Sequence, residues 1–481
     1  MRRTLLASLS FAVACSSSSF DLGAPTDDAG DDASADTAAD TAKPVDTGGP
    51  DTTLPDTAAS DTGKPPGDGG PDTTVVDLGS DITVGDGIVT DGIVPDDAIS
   101  VDATPVDGGC PTLSSGATDV YVASGGKGTG TATCPFGSIQ AALAVPWTSG
   151  TGAIRTIHVA GGTPTVHYSE SGALVIKQDI ILKGDGPTKT RVLASGDCGS
   201  TTLQCAIWLF PGGRVEGFSI SPASPGTSNQ NGVLLAAGGS AGKMPTLVDS
   251  EIVGANSNGV IAQGPGVLGP GVRTLSNKSN GVAAYSSSPG TLRIASDATN
   301  PNAFEGNSFT GVSVGGALNL IFDGGGAASN GSQGVYLWSS GGAHRVTGLV
   351  AKDNKGPGLL VGAGNSLVVR SSTFTGNTIG LSYTHGAGTE TLDLGTGTAP
   401  GANQFGGISS TSRNTKAGVF VCESDSPTTQ PAEGNYWSSC APVQTLLTVC
   451  DVGSTPYADI MFKNRASGSA ALSVTSCFKG P

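Results

Sequence analysis

Two charged residues stand at comparable distances from repeated glycines, and their side chains could do acid–base chemistry. Asp323 lies eleven residues before Gly334, and Arg370 lies ten before Gly380. A carboxylate can remove a proton beside a sugar carboxylate, and an arginine can neutralise the charge that develops there. If the two residues occupy equivalent positions two turns apart in a repetitive β-fold, they are separated by roughly 9–10 Å. Asp353 lies between them in sequence and completes the candidate catalytic set.

The same residues also fit a simpler interpretation, in which they are isolated charges on a solvated strand face. Neighbouring repeats supply no second or third carboxylate for calcium. The four histidines (His158, His167, His344 and His385) have no metal-like spacing. No phosphate-binding loop or nucleophile elbow is present in the sequence. We therefore expect no metal and no cofactor, and we prefer the surface-charge interpretation of Asp323, Arg370 and Asp353.

A repeated pattern must position any such residues, and it consists of an asparagine, two or three spacers, a glycine, and then valine or leucine. Successive glycines lie 27, 22, 30, 23, 24, 22 and 38 residues apart. A period in the twenties indicates one supersecondary unit per repeat, stacked on its neighbours. The asparagines are expected to form a hydrogen-bonded ladder from turn to turn: Asn229, Asn256, Asn277, Asn307, Asn330, Asn354, Asn377 and Asn414.

The residues after each glycine alternate in polarity, as in Val335–Trp338 and Ile379–Thr384. This period of two predicts short strands with one face inward, and no long helical stripe appears. Two or three short strands per repeat predict a parallel β-helix. Hairpin turns of an antiparallel sandwich are the alternative, but those usually recur every 8–12 residues. Gly is 75 of 481 residues and charged residues are 13%, which suits a narrow solenoid with many tight turns.

The N-terminal end has the pattern of an exported protein. Residues 1–14 carry two arginines, an apolar stretch and small residues, which is typical of a signal peptide. Ala12-Val13-Ala14-Cys15 resembles a bacterial lipoprotein processing site, so Cys15 is the predicted lipidation site. A plain secreted protein is the alternative. The resemblance implies a membrane anchor through lipid, with Ser16 favouring the outer membrane.

Residues 15–109 are predicted to form a disordered acidic tether. Residues 16–109 contain 21 aspartates and two lysines, a net charge of −19, against −16 for the whole chain. The remaining part of the chain from residue 110 onward is therefore nearly neutral. Such a low-complexity segment buries too little apolar surface to fold, and self-repulsion extends it. A near-neutral folded part without a basic stripe also argues against nucleic-acid binding.

Eight cysteines remain after Cys15, an even number that predicts disulfides in an exported chain. Paired close spacings typical of zinc sites do not occur. Among the 105 connectivities that eight cysteines allow, we favour sequential pairing. The predicted pairs are Cys110–Cys134, Cys198–Cys205, Cys422–Cys440 and Cys450–Cys477.

The segment from Tyr121 to Leu143 contains a strand, a Gly-rich loop and Pro-Phe-Gly-Ser-Ile-Gln-Ala-Ala. It resembles the entry segment of pectin-lyase-like right-handed parallel β-helix proteins, in which the following short helix caps the solenoid. Residues 156–163 and 173–186 are similar to the first coils, and Asn435-Tyr436-Trp437 is similar to the closing aromatic element. The resemblance implies an N-terminal cap at 110–150, a β-helix at 151–440 and a disulfide-bonded C-terminal cap at 441–481.

That superfamily contains lyases, hydrolases, esterases, epimerases and non-enzymes, so the resemblance predicts fold better than activity. The polygalacturonase, pectate-lyase and alginate-epimerase signatures are absent from the sequence. Exposed aromatics on a flat sheet suit sugar rings, and the candidates are Tyr285, Tyr336, Trp338 and Tyr383; packing under a loop is the alternative. We expect a lipid-anchored cell-surface protein with a non-catalytic binding face for glycans or proteins. A polysaccharide lyase or hydrolase acting on acidic glycans is the alternative.

Overall fold

The structure is a computed structural model that describes only part of the chain. The described residues are 109–114, 116–147, 153–223, 229–238, 243–338, 341–386, 388–406, 412–423, 430–437, 442, 444–447, 456–463, 472, 474 and 477–479. All of them lie in one compact unit, Asp96–Pro481. The predicted signal peptide, the lipidation site Cys15 and the tether before residue 109 lie outside the described residues.

Short strands make up nearly all of the regular structure. The first ten are β1 (Asp119–Val122), β2 (Arg155–Val159), β3 (Val166–Ser169), β4 (Leu174–Ile176), β5 (Ile180–Gly184), β6 (Thr190–Ala194), β7 (Gly196–Ser200), β8 (Leu203–Leu209), β9 (Arg214–Glu216) and β10 (Ser219–Pro222). The next twelve are β11 (Gln230–Leu235), β12 (Thr246–Val248), β13 (Glu251–Val253), β14 (Val260–Ala262), β15 (Gly266–Leu268), β16 (Arg273–Leu275), β17 (Val282–Ala295), β18 (Ala303–Glu305), β19 (Val312–Ala328), β20 (Val335–Leu337), β21 (Ala343–Lys352) and β22 (Leu359–Val361). The last ten are β23 (Ser366–Arg370), β24 (Thr373–Thr375), β25 (Ile379–His385), β26 (Leu392–Asp393), β27 (Gln404–Phe405), β28 (Ala417–Glu423), β29 (Asn435–Trp437), β30 (Gln444–Leu446), β31 (Ala458–Lys463) and β32 (Cys477–Lys479).

In the described part of the chain these strands, except β7, stack in parallel on three sides of a solenoid, which confirms the predicted parallel β-helix. Sheet 1 contains β4, β8, β11, β14, β20, β22, β25, β28, β31, β30 and the first parts of β17 and β19. Sheet 2 contains β1, β2, β5, β9, β12, β15, β23, β26, the end of β17, the middle of β19 and the start of β21. Sheet 3 contains β3, β6, β10, β13, β16, β18, β24, β27, β29, β32 and the ends of β19 and β21. Within the described residues, nine consecutive coils contribute a strand to all three sheets.

The repeated glycine is explained by the approach of successive coils. A Cβ added at Gly334 would lie 2.5 Å from the carbonyl oxygen of Gly358, and one at Gly311 would lie 2.6 Å from that of Gly334. Real Cβ atoms do not approach a backbone oxygen this closely, so only glycine fits. The next residue points inward, and its equivalents form a fully buried file: Val233, Val260, Val282, Val312, Val335, Leu359, Leu381, Val419 and Ile460. Burying each such side chain stabilises the solenoid by about 1.5–3 kcal/mol.

Six of the eight predicted ladder asparagines form one continuous ladder. The amide Nδ2 of each donates to Oδ1 of the next, at 2.9 Å from Asn277 to Asn307 and 3.0 Å from Asn307 to Asn330. The backbone N–H of each also donates to the same Oδ1. All are almost completely buried, so each rung satisfies polar groups that would otherwise be unpaired. The ladder consists of Asn277, Asn307, Asn330, Asn354, Asn377 and Asn414.

The assignment of Asn256 and Asn229 to this ladder is wrong. The rung beside Asn277 is Ala255, whose backbone N–H donates to Asn277 Oδ1 at 2.9 Å. Asn256 therefore comes one residue after the rung position, although it precedes Gly259 by three positions, as the rung Asn377 precedes Gly380. Asn229 is exposed, with a left-handed φ of 68°. An asparagine at an offset from the glycine that is found in a true rung is therefore not enough to place a rung.

A second ladder, absent from the sequence-based expectations, uses the residue directly before the glycine. Asn258 Nδ2 donates to Asn231 Oδ1 at 3.2 Å, and Asn280 Nδ2 donates to Asn258 Oδ1 at 3.0 Å. The file continues with Thr310, whose N–H donates to Asn280 Oδ1. The signal was visible in the sequence as repeated Asn-Gly pairs.

The predicted capping helix is present as α1 (Ile139–Leu143), which buries Ile139 and Ala142. Ser138 accepts a hydrogen bond from Ala141 N, as an N-cap does. Glu170, in the first coils, accepts the backbone N–H of Ile139 at 2.7 Å. The first turn of the helix is thereby joined to the solenoid that it covers.

Buried Arg155 holds the chain segment that follows α1. Its guanidinium donates to the carbonyl oxygens of Val145 and Pro146 at 2.9 and 3.1 Å. It also lies 4.5 Å from the ring of Trp147. These contacts fix the cap against β2.

Two of the four sequential disulfides are observed, Cys110–Cys134 and Cys198–Cys205. The second closes the antiparallel hairpin of β7 and β8. Cys422 is also disulfide-bonded. The side chains of its predicted partner Cys440 and of Cys450 and Cys477 lie outside the described residues.

The solenoid continues past residue 440, where the C-terminal cap was predicted to begin. Strand β31 pairs with β28, and β32 pairs with β29, the strand that contains the predicted closing aromatics. Sheets 1 and 3 therefore extend into the segment expected to form the cap.

Candidate functional site

A groove of about 770 Å³ crosses the outer face of sheet 2. Its floor follows one outward column, in which two arginines are separated by a threonine and a valine and flanked by isoleucines: Ile181, Arg214, Thr246, Val267, Arg293 and Ile321. The remaining lining residues are Ile154, Asp179, Gly212, Gly213, Lys243, Met244 and Thr291. We call this the sheet 2 groove.

Two carboxylates beside the column, those of Glu216 and Asp323, each face two cations. Glu216 Oε2 lies 2.6 Å from Arg214 Nε, and its Oε1 lies 3.6 Å from Lys183 Nζ. Asp323 lies 3.0 Å from Arg345 and 3.8 Å from Arg293. Each trio of two cations and one anion has one net positive charge. The charged side chains around the groove therefore have a net positive charge, even when their internal ion pairs are counted.

Asp323 and Arg370 lie in one outward column, as the glycine register predicted. Thr347 is the residue between them, paired with Asp323 on one side and Arg370 on the other. The two side chains do not pair. Arg370 Nη2 instead donates to Asp393 Oδ2 at 2.7 Å. Their proposed catalytic roles remain predictions.

Asp353 does not join these residues. It lies at the corner after sheet 3, with a left-handed φ of 55°, while Asp323 lies on sheet 2. Its carboxylate is 3.5 Å from Lys352 Nζ. Asp353 follows Asp323 by 30 residues, and 30 residues of this chain span more than one full coil. Proximity in the sequence therefore does not place the two aspartates side by side. The predicted three-residue set is therefore wrong as a cluster.

Of the four candidate aromatics, Tyr383 is misassigned, because it points into the core. It is fully buried, and its hydroxyl donates to the carbonyl oxygen of Asn365 at 2.8 Å. Tyr336 faces outward but is half-buried, and this burial raises the pKa of its hydroxyl. Tyr285 and Trp338 are exposed, so of the two interpretations left open by the sequence, packing under a loop does not apply to them.

Within the described residues, no group of three or more His, Cys, Asp or Glu side chains is arranged to hold a metal ion. In the same residues, no helix is long and apolar enough to cross a membrane.

Comparison with known proteins identifies the architecture. The sequence profile described as "right handed beta helix region" matches residues 231–416, the segment that carries both asparagine ladders. The chain is a right-handed parallel β-helix protein. No curated protein sequence matches it.

Solved structures with a similar backbone fold include polysaccharide-modifying enzymes. The A-module of the Azotobacter vinelandii mannuronan C-5 epimerase AlgE4 shares 12% identity at a TM-score of 0.39, over 68% of this chain and 91% of that one. The periplasmic alginate epimerase AlgG, as a mutant, shares 13% identity at a TM-score of 0.38, over 68% and 78%. A Geobacillus virus E2 protein, ORF18, shares 10% identity at a TM-score of 0.33, over 68% and 54%. At such values the likeness says nothing about the activity of this β-helix protein.

The sequence analysis missed the cationic column of the sheet 2 groove. Arg293 lies 18 residues before Gly311, whereas Arg345 lies 13 residues before Gly358. Because the segment between this column and the next glycine varies in length, counting back from the glycines does not align these arginines. Only the strand register brings them into one column of the β-helix.

Proposed function

We propose that the β-helix is a non-catalytic binding module for an acidic polysaccharide, held in the sheet 2 groove. The observation that carries the proposal is the outward column in which Arg214 and Arg293 lie among uncharged side chains, namely Ile181, Thr246, Val267 and Ile321. In this proposal the ligand runs across the coils, along the column.

The chemistry of the column matches a chain of sugar acids. The guanidiniums of Arg214 and Arg293 can form paired, charge-assisted hydrogen bonds with sugar carboxylates. The aliphatic side chains between them offer an apolar floor to the C–H faces of the rings. Three coil spacings, about 14 Å, separate the two arginines. The site therefore favours an extended, repeating ligand over a small single anion.

The carboxylates at the groove are engaged in ion pairs. Asp323 receives hydrogen bonds from Arg345, and Asp179 accepts one from Lys243 at 3.0 Å. A carboxylate that is occupied in this way positions cations and is poorly placed to take a proton from a substrate. This supports binding without turnover.

The proposal also places the protein at the cell surface. The signal peptide, lipidated Cys15 and acidic tether of the sequence analysis anchor it to the outer membrane and hold the β-helix away from the lipid. A polyanion would be bound by the cationic groove of the folded part and repelled by the negatively charged tether.

Calorimetric titration of the full-length chain with an oligogalacturonate tests the binding. Arg293→Gln and Arg214→Gln are each expected to weaken the affinity about tenfold, the loss of one charge-assisted contact. The matched control is Arg273→Gln, since Arg273 is also exposed and ion-paired, with Glu251 at 3.0 Å, but lies on sheet 3. Equal affinities for Arg293→Gln and Arg273→Gln, or no binding by the wild type, would refute the proposal.

A carbohydrate-active enzyme is the second candidate, favoured by the position of Asp323 between Arg293 and Arg345. In a lyase, such arginines would neutralise the substrate carboxylate while the aspartate removed the proton. Release of shortened, unsaturated oligosaccharides in the same titration mixture would establish this activity and overturn the non-catalytic proposal.

A further inference from the structure

Two exposed aromatic side chains form a stack at the end of sheet 1. Tyr285 lies on β17, and Trp338 directly follows β20. Their ring centroids are 5.5 Å apart, and the ring planes differ by only 2°. Tyr285 is 53% exposed and Trp338 is 43% exposed. We call this pair the aromatic platform.

Glycines on the strands around the platform make the stack possible. Gly315 pairs with Tyr285 and lies between the two aromatic residues in the same outward column. A Cβ at Gly315 would overlap the indole ring of Trp338. Gly316, with a left-handed φ of 69°, leaves room beside the Tyr285 ring in the same way. The indole therefore occupies the space beside Gly315 that a side chain at this position would fill.

The far side of Trp338 also faces a glycine. Gly362 is its partner on the next coil, and a Cβ there would meet no atom closer than 3.4 Å. The column continues to Gln263 at one end and Thr384 at the other. Uncharged side chains and glycines thus surround the platform within its column, in contrast to the arginines of the sheet 2 groove.

Size and charge together define the occupant. About half of each ring is accessible, which amounts to roughly 200 Å² for the pair. A stable protein–protein interface needs about 800 Å² per partner, so the platform is too small to hold a second copy of the chain. The uncharged surroundings favour a neutral ligand over an anionic one.

We propose that the aromatic platform is a second binding site, specific for neutral sugar rings with equatorial substituents, such as β-linked glucose. Such a ring presents axial C–H groups on its faces, which pack on the aromatic rings, while its hydroxyls remain in water or contact polar residues of the column. The site lies on sheet 1 and does not depend on the groove of sheet 2.

Titration of the full-length chain with neutral oligosaccharides (β-linked gluco-, xylo- and manno-hexasaccharides) tests the site by calorimetry and tryptophan fluorescence. At least the gluco-oligosaccharide is expected to bind and to change the emission. Trp338→Ala and Tyr285→Ala are expected to weaken binding about tenfold. Gly315→Ala keeps both aromatic residues but displaces the indole, so it is expected to produce a similar loss.

Phe309→Ala is the matched control, because Phe309 is an aromatic residue exposed to 58% in a different turn of the solenoid. The Phe309→Ala variant should bind the gluco-oligosaccharide with the same affinity as the wild type. The circular dichroism and thermal midpoint of each variant show that it is folded. Absence of binding to the gluco-oligosaccharide would overturn the proposal, as would equal binding by Trp338→Ala and Phe309→Ala. A dimer that Trp338→Ala dissociates would overturn it in favour of self-association. Because oligogalacturonate binding is measured separately on the arginine variants, either site can fail without the other.

Discussion

The carboxylate of Asp323 accepts two hydrogen bonds from Arg345 on the neighbouring strand, with Nη2 at 3.0 Å from Oδ1 and 3.3 Å from Oδ2. Arg293, on the preceding coil, lies 3.8 Å from the same carboxylate. Asp323 therefore holds two guanidiniums at the edge of the sheet 2 groove. Removing the negative charge of Asp323 frees both guanidiniums, and the effect of this change on ligand binding reveals the role of Asp323.

Asp323→Asn distinguishes binding from catalysis. In the non-catalytic proposal, loss of the carboxylate leaves Arg293 and Arg345 without their counter-ion, so oligogalacturonate should bind about two- to fivefold more tightly. In the enzymatic alternative, any turnover should be abolished. Calorimetry and product analysis on the same sample measure both.

Asp353→Asn is the matched control for charge. It removes the same charge from an exposed aspartate at a corner of the solenoid, beside Lys352 and away from the groove. Its affinity for oligogalacturonate should equal that of the wild type. If both variants bind more tightly by the same factor, the effect comes from overall charge and the local role of Asp323 is refuted.

Gly334→Ala should destabilise the solenoid strongly, because the new methyl group would lie 2.5 Å from the carbonyl oxygen of Gly358. Backbone atoms of two coils must shift to accommodate it, at a cost of about 1–3 kcal/mol. The control is Gly397→Ala, since a Cβ at Gly397 meets no atom within 4 Å. Chemical denaturation measures both free energies of unfolding. Equal stabilities would show that close approach of the coils does not explain the repeated glycine.

Asn330→Ala should remove a buried rung. Asn330 Oδ1 accepts from Asn307 N and Nδ2, and its own Nδ2 donates to Asn354 Oδ1 at 2.9 Å. Without it, the buried backbone N–H of Asn307 loses its partner and the Asn307 Nδ2 keeps only the carbonyl oxygen of Thr274, so the free energy of unfolding should fall by about 2–4 kcal/mol. Asn256→Ala, outside the ladder, should cost less than half as much. Comparable losses in the two variants would contradict the ladder assigned here.

The fold and the candidate sites differ in how far the sequence predicts them. The glycine repeat fixes the strand register because the clash that it avoids recurs on every coil, and this register correctly places Asp323 and Arg370 in one column. The corners vary in length, so the same counting misplaces Asn256 by one residue and misses Arg293. Tyr383 shows a second limit. Its alternation with Ser382 and Thr384 gives it the same phase as the buried Leu381 and therefore an inward position. What the sequence does not reveal is the buried acceptor for its hydroxyl, the carbonyl oxygen of Asn365, which allows a tyrosine to lie there.

His344 is a buried histidine whose neutral form is fixed by its neighbours. The backbone N–H of Leu320 donates to Nδ1 at 3.0 Å, so Nδ1 must be unprotonated. The proton is on Nε2, which lies 3.1 Å from Asn365 Oδ1. Burial lowers the pKa of His344 below its usual value, against a smaller opposing effect of the Asn365 hydrogen bond.

The depressed pKa of His344 makes the stability of the β-helix depend on pH. In the unfolded chain the imidazole takes up a proton near its usual pKa of about 6.5, whereas in the folded protein it remains neutral to lower pH. The contribution of neutral His344 to the free energy of unfolding is therefore fully present above about pH 6.5. It is lost as the pH falls towards the pKa of His344 in the folded protein. His344→Gln removes this titration, so the difference in unfolding free energy between wild type and variant should shrink between about pH 7.5 and pH 5. The control is His167→Gln, because His167 is exposed. This variant shows how much the loss of an imidazole outside the core changes the pH dependence of the unfolding free energy. A difference between wild type and His344→Gln that stays constant with pH would show that His344 does not take up a proton on unfolding.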